Sequence, residues 1–173
     1  MHILVLGVGS ILMGDDGVGV RAVEEIKRRY YVPENLEILD GGTSGLDLLP
    51  FIAGKDYLII IDAIKSGSPP GTVLMAQGDD VPARFRMRIS PHQLGISELL
   101  ATATLTDELP KNIVLFGIEP KTIQLGISLS HEVKAGMDKL IKTVVNYLDS
   151  IGCRLETRPA SEIKEEYSFW GEM

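Results

Sequence analysis

The run Tyr57-Leu58-Ile59-Ile60-Ile61 is the most apolar in the chain and constrains the fold more than any other feature. It is rich in β-branched residues, shows no alternation of apolar and polar positions, and ends on Asp62. Such a run suits a central strand covered on both faces, the environment of a parallel sheet between layers of helices. A second apolar run, Ile3-Leu4-Val5-Leu6, leads into a glycine-rich loop and then into residues 18–30, which read as an amphipathic helix. One face of that helix carries Val18, Ala22, Val23, Ile26 and Tyr30, and the other Arg21, Glu24, Lys27 and Arg28.

The alternation of strand and helix continues along the chain. Residues 36–39 form a second strand closed by Asp40-Gly41-Gly42, and Thr43 or Ser44 caps a short helix bearing Leu46, Leu48, Leu49 and Ile52. The connector Lys65-Ser66-Gly67-Ser68-Pro69-Pro70-Gly71 is too short for the crossover that a parallel neighbour requires. The strand at 72–76 is therefore expected to be antiparallel and near an edge. A loop at 77–82 leads to Arg84, Arg86 and Arg88, whose alternation suggests one face of an extended segment, solvated or receiving an acidic partner. Ser90-Pro91-His92-Gln93 opens a helix with Ile96, Leu99, Leu100 and Ala103 inward. Residues 113–118 make the last strand, and Ser130 caps a final helix with Val133, Met137, Leu140, Ile141, Val144 and Leu148 inward.

The fold expected is α/β: a three-layer sandwich whose mostly parallel twisted sheet of about five strands has one antiparallel strand and helices on both faces. One domain is expected over residues 1–152. Residues 153–173 are charged and aperiodic and are expected to form a loosely held tail, with Tyr167, Phe169 and Trp170 able to dock. The net charge of −7 argues against a nucleic-acid partner or an anionic membrane surface. No apolar stretch approaches the ~20 residues needed to cross a bilayer. No basic region precedes the first strand, so no signal peptide is expected, and the single Cys153 excludes an internal disulfide. These features together suggest a cytoplasmic monomer.

In an open α/β sheet the ligand crevice lies beyond the carboxyl ends of the strands. Asp16 follows the first strand, Asp62 ends the third, and His92 opens a helix on the same rim. Two carboxylates and an imidazole form a mixed donor set suited to a divalent transition metal. Asp40 ends the second strand and is a fourth acid on the rim, a candidate base or supporting acceptor.

Each residue also has a plainer explanation. Asp15 and Asp16 can serve as acids at a helix N-terminus, worth about 0.3–1 kcal/mol each. Adjacent acids repel, however, and one would suffice. Asp62 can be a turn residue and His92 an ordinary loop histidine; their convergence on one rim favours function. The glycine loop has the layout of a phosphate-binding turn, but Leu12 stands where the third glycine of a dinucleotide fingerprint belongs. A pyrophosphate would also meet Asp15 and Asp16, so no nucleotide cofactor is expected. A phosphate-free ligand such as S-adenosylmethionine escapes that objection, leaving a methyltransferase-like binder using Asp40 and the glycine loop as the alternative. His131-Glu132 lacks the second histidine of a zincin helix, because Ala135 occupies that position. No serine lies in a Gly-x-Ser-x-Gly turn, and Cys153 follows the final helix, far in sequence from any histidine.

Four motifs in order carry a family resemblance. They are Gly-Val-Gly-x-x-Leu-x-x-Asp-Asp-Gly-x-Gly at 7–19, Asp40-Gly41-Gly42-Thr43-x-Gly45, the aspartate closing the run that ends at Ile61, and Ser90-Pro91-His92-Gln93. Over residues 1–150 the chain resembles the hydrogenase maturation endopeptidases, which remove a C-terminal extension from the large-subunit precursor of nickel-iron hydrogenases. The resemblance implies that Asp16, Asp62 and His92 bind metal and recognise nickel carried by the precursor. Gly7, Gly9, Asp15, Gly17, Gly41, Gly42 and Gln93 are the implied supporting loop residues. It also favours Asp16 over Asp15 as the ligand, a choice that spacing alone leaves open. One departure is Ser10, where the family usually has asparagine, which puts the loop geometry in question and leaves the ligands untouched.

Overall fold

The structure is a computed structural model and describes residues 1–86 and 90–163. The chain runs through β1 (Ile3–Val8), α1 (Val18–Arg29), β2 (Tyr30–Tyr31), β3 (Leu36–Gly42), α2 (Leu49–Ile52), β4 (Tyr57–Ala63) and β5 (Val73–Gln77). It continues through α3 (Asp80–Arg86), α4 (Pro91–Leu105), β6 (Asn112–Ile118), α5 (His131–Ser150) and β7 (Glu156–Thr157). Five strands form one sheet in the order β3-β1-β4-β6-β5. The neighbours β3, β1, β4 and β6 are parallel, and β5 pairs antiparallel with β6 at the edge, as the short connector requires.

Alternation along each strand divides the core into two layers. Ile3, Val5, Ile59, Ile61, Val114 and Phe116 pack with residues of α1 and α5 on one face. Leu4, Leu6, Leu58, Ile60 and Leu115 pack with α4, Val81 and Phe85 of α3, and Ile52 of α2 on the other. A strand buried on both faces has no polar side to show, which is why Leu58 to Ile61 reads as an unbroken apolar run. Every inward residue expected on the last two long helices is buried, including Leu99 and Leu100 of α4 and Val133, Leu140 and Val144 of α5.

Strand order places β3 on one side of β1, and β4 with β6 on the other. The reversal creates a switch point at the carboxyl ends of β1 and β4, where an open sheet of this kind binds ligands. The start of α1 crosses those ends at very close range. A Cβ on Gly7 would lie 2.3 Å from the Gly19 carbonyl oxygen, and one on Gly19 would lie 2.1 Å from that of Ile61. No side chain fits in either gap.

Three expectations need correction. Residues 80–86 are helical, not extended, because Val81 and Phe85 lie one helical turn apart and both bury against α4. Arg84 lies on that helix, and Arg88 lies outside the described residues. Arg21 is buried, its Nη2 donating to the Ile127 carbonyl at 3.3 Å. The segment that follows residue 152 does not begin as a loose tail: Cys153 and Leu155 are buried beside α1 and α5, and β7 pairs antiparallel with β2. Arg158 completes that strap by donating to the Tyr30 carbonyl at 3.1 Å and stacking over the Tyr31 ring. Tyr167, Phe169 and Trp170 lie outside the described residues. No helix among the described residues is long and apolar enough to cross a membrane.

Candidate functional site

The loop after β1 turns at Gly9, whose φ of 123° belongs to glycine and whose missing Cβ would stand 1.9 Å from the Asp16 carbonyl oxygen. The chain then makes a 3-10 turn over Gly14–Gly17 that buries both aspartates and runs directly into α1. Gly17 and Gly41 admit the close approach of Ile11 and Leu6 respectively, and the Gly42 carbonyl accepts a hydrogen bond from the Gly9 amide at 2.9 Å.

The two adjacent acids have different tasks. Asp15 faces the loop between β6 and α5, and its carboxylate is saturated. It accepts from the amides of Lys121 at 2.9 Å, Thr122 at 3.1 Å and Ser130 at 2.7 Å, and from the Ser130 hydroxyl at 2.8 Å. The same hydroxyl caps α5 by accepting from the Val133 amide. Asp16 faces the other way. Its Oδ2 accepts from the Ser10 amide at 2.9 Å, while its Oδ1 is buried with no hydrogen-bond partner. The Ser10 contact runs through the backbone, which any residue supplies, so serine there leaves the geometry intact.

His92, at the second position of α4, places its ring between Asp16 and Asp62. Its Nδ1 lies 3.3 Å from Asp16 Oδ2, and its Nε2 lies 3.1 Å from Asp62 Oδ2. Asp62 at the end of β4 is wholly buried, and is fixed by the Ala63 amide at 2.8 Å and by Gln93 Nε2 at 3.2 Å. Gln93 also donates to the Ala63 carbonyl, so two consecutive residues of α4 grip the end of β4. One donor atom from each of Asp16, Asp62 and His92 lies within 4.8 Å of the others. Donors at about 2.1 Å from one ion are separated by up to about 4.2 Å, so small rotations bring this set onto a single cation. The chemistry of the set, two carboxylate oxygens and one imidazole nitrogen, fits a divalent transition metal, and Asp16 Oδ1 is the oxygen left waiting for a partner.

Asp40 does not join the group. It is exposed at the end of β3, and its Oδ1 accepts from the Gly42 amide in a tight turn. Ser90, which stands at the N-terminus of α4, turns its hydroxyl to His92 Nδ1 at 3.3 Å and makes no side-chain cap bond. Glu119 is a further buried acid at this end of the sheet. It accepts from the amide and hydroxyl of Ser66 and so anchors the connector before β5. Neither contact has a sequence signature, because each depends on loops brought together by the sheet.

Burial pushes the Asp62 carboxyl above its usual range; His92 and Gln93 oppose that rise, and the Asp16 charge adds to it. Burial alone would lower His92, but the hydrogen bond and charge of Asp62, with the charge of Asp16, outweigh it and raise the imidazole above 6.5. Both groups therefore hold protons more tightly in the folded state than in the unfolded chain. The stability His92 contributes is complete below its unfolded value and is lost as pH rises through the higher folded value. The gap in melting temperature between the metal-free protein and its His92→Asn variant is accordingly expected to shrink from pH 6 to pH 9; a constant gap would contradict this charge arrangement.

The adjacent acids can be separated by a single pair of variants. Asp15→Asn turns an amide toward donors and is expected to cost about 2–3 kcal/mol, lowering the melting temperature by roughly 4–12 °C. Asp16→Asn keeps the Ser10 contact and is expected to shift the melting temperature by no more than about 3 °C. Equal losses in the two variants would show that both acids are structural.

The family profile HycI, hydrogenase maturation protease, matches residues 20–147 of this chain. The hydrogenase 2 maturation protease of Escherichia coli is 43% identical over 161 residues, covering 92% of this chain and 98% of that protein. Among solved structures, the hydrogenase maturating endopeptidase HybD from E. coli superposes with a TM-score of 0.88 at 42% identity, covering 91% and 98% of the two chains. The NiFe hydrogenase maturation protease HybD from Thermococcus kodakarensis gives 0.71 at 32% identity, covering 85% and 99%. With most of its length matched by the family profile and its fold shared at 42–43% identity, the chain belongs to the hydrogenase maturation protease family.

Proposed function

We propose that this protein is an endopeptidase that removes the C-terminal extension of a nickel-iron hydrogenase large-subunit precursor after nickel has been inserted. The observation that carries the proposal is the unpartnered Asp16 Oδ1, buried beside Asp62 and His92 at the switch point of the sheet. Leaving a carboxylate oxygen without a donor costs a folded protein about 1–3 kcal/mol or more, which a cation delivered by the substrate would offset. The relatives are named as maturation proteases, and one of them as a NiFe hydrogenase maturation protease, which agrees with this reading.

In this proposal Asp16, Asp62 and His92 hold the precursor's nickel as part of the substrate, with no resident metal required. Nickel held there can polarise a carbonyl or a water at the neighbouring peptide bond. Gln93 and the Ala63 amide keep Asp62 aimed at the ion, and the Ser10 amide does the same for Asp16. A ligating imidazole is neutral, so binding of the ion competes with protonation of His92 and is coupled to pH. Asp40, exposed and bonded to its own turn, is not needed for holding the ion. Family membership replaces the adenosyl-binding alternative.

The test is incubation of the protein with its hydrogenase precursor, with and without nickel. Shortening of the nickel-loaded precursor alone is expected, and Asp16→Asn or His92→Ala should slow it by about 100-fold or more. Cleavage of the nickel-free precursor at the same rate would overturn recognition of the metal.

A further inference from the structure

The glycine loop and the loop between β6 and α5 are joined edge to edge. Met13 forms a parallel β-bridge with Gly126, Gly14 N donates to Gly126 O at 2.8 Å, and Gly126 N donates to Leu12 O at 2.9 Å. The Asp15 amide adds a bond to the Thr122 carbonyl at 3.2 Å, and its carboxylate locks the joint from the other side. On this paired surface four large apolar side chains are exposed: Ile11, Leu12, Ile123 and Leu125, the last 85% accessible. A cleft of about 310 Å³ opens beside them, lined by Gly14, Thr122, Gln124, Leu125, Ile127 and Ser128 among others.

Grouped apolar side chains on a surface that the core does not use mark a place where another molecule is received. Position and charge indicate which molecule. Ser10, next to Ile11, donates its amide to Asp16 at 2.9 Å, so the Ile11 end of the platform lies beside that carboxylate. A partner that covers the Ile11 end therefore also approaches Asp16, where a cation is favoured and a second acidic surface is not. A second copy of this chain, with its net charge of −7 and the same two acids, is poorly matched to that position. A protein segment that presents a divalent cation flanked by apolar residues is well matched.

We propose that Ile11, Leu12, Ile123 and Leu125 form the docking platform for the precursor protein, receiving apolar residues that flank its metal-bearing segment. The inference rests on the function proposed above.

The test compares Leu12→Asp and Leu125→Asp in the full chain with the control Leu105→Asp, an exposed leucine at the far end of α4. Cleavage of nickel-loaded precursor, equilibrium binding of the same precursor, melting temperature and sedimentation are read for each. Both platform variants are expected to raise KM and weaken binding about tenfold or more, with kcat within about twofold and melting temperature and sedimentation unchanged. The control should match the wild type. Unchanged KM and binding overturn the platform, and a dimer that dissociates in the platform variants assigns the surface to a second copy instead. Failure of the wild type to cut the precursor counts against the proposed function, whereas the binding comparison still tests the platform.

Discussion

The Asp15 carboxylate accepts its four hydrogen bonds from residues 106 to 115 positions away in sequence, and the geometry of the site depends on that joint. It fixes the 3-10 turn against the loop before α5, and with it the start of α1, which lies across the ends of β1 and β4 at glycine-only distances. With the turn held from one side, its next residue is directed to the other, toward His92 and Asp62. Two adjacent acids that would repel each other on a free helix end are thereby separated into a structural anchor and an acid with an unpartnered oxygen.

The group at the switch point balances opposing electrostatic terms. Burying two carboxylates is unfavourable, and the imidazole held between them recovers part of that loss without satisfying Asp16 Oδ1. The His92 ring stands between the two acids, with one nitrogen toward each. The two carboxylates are already oriented by Ser10, Ala63 and Gln93. Such preorganisation lets a buried acidic site favour a cation without rearranging the sheet beneath it.

Much of this was legible in the chain itself. The run from Tyr57 to Ile61 specified a doubly covered strand, and the seven residues from Lys65 to Gly71 required the antiparallel edge that β5 provides. Ser130 announced the start of α5, and three polar residues on one rim announced the group that the fold gathers. The division of labour between Asp15 and Asp16 was not legible, since three of the four donors to Asp15 are backbone amides of a distant loop. The helix at Asp80–Arg86 was hidden by alternating arginines that drew attention from the Val81–Phe85 spacing. The strap after Gly152 was missed because a two-residue strand has no periodicity, although the buried pair Cys153 and Leu155 alternates as a strand does.

The central claim is that Asp16, Asp62 and His92 act together on one divalent ion. It is tested most directly by the crystal structure of the protein soaked with nickel, with anomalous scattering locating the metal. The account predicts one ion with an oxygen of Asp16, an oxygen of Asp62 and a nitrogen of His92 each at about 2.0–2.2 Å, Asp15 remaining on its loop amides. Nickel bound elsewhere, or a site still closed by the His92 contacts at saturating metal, would contradict it.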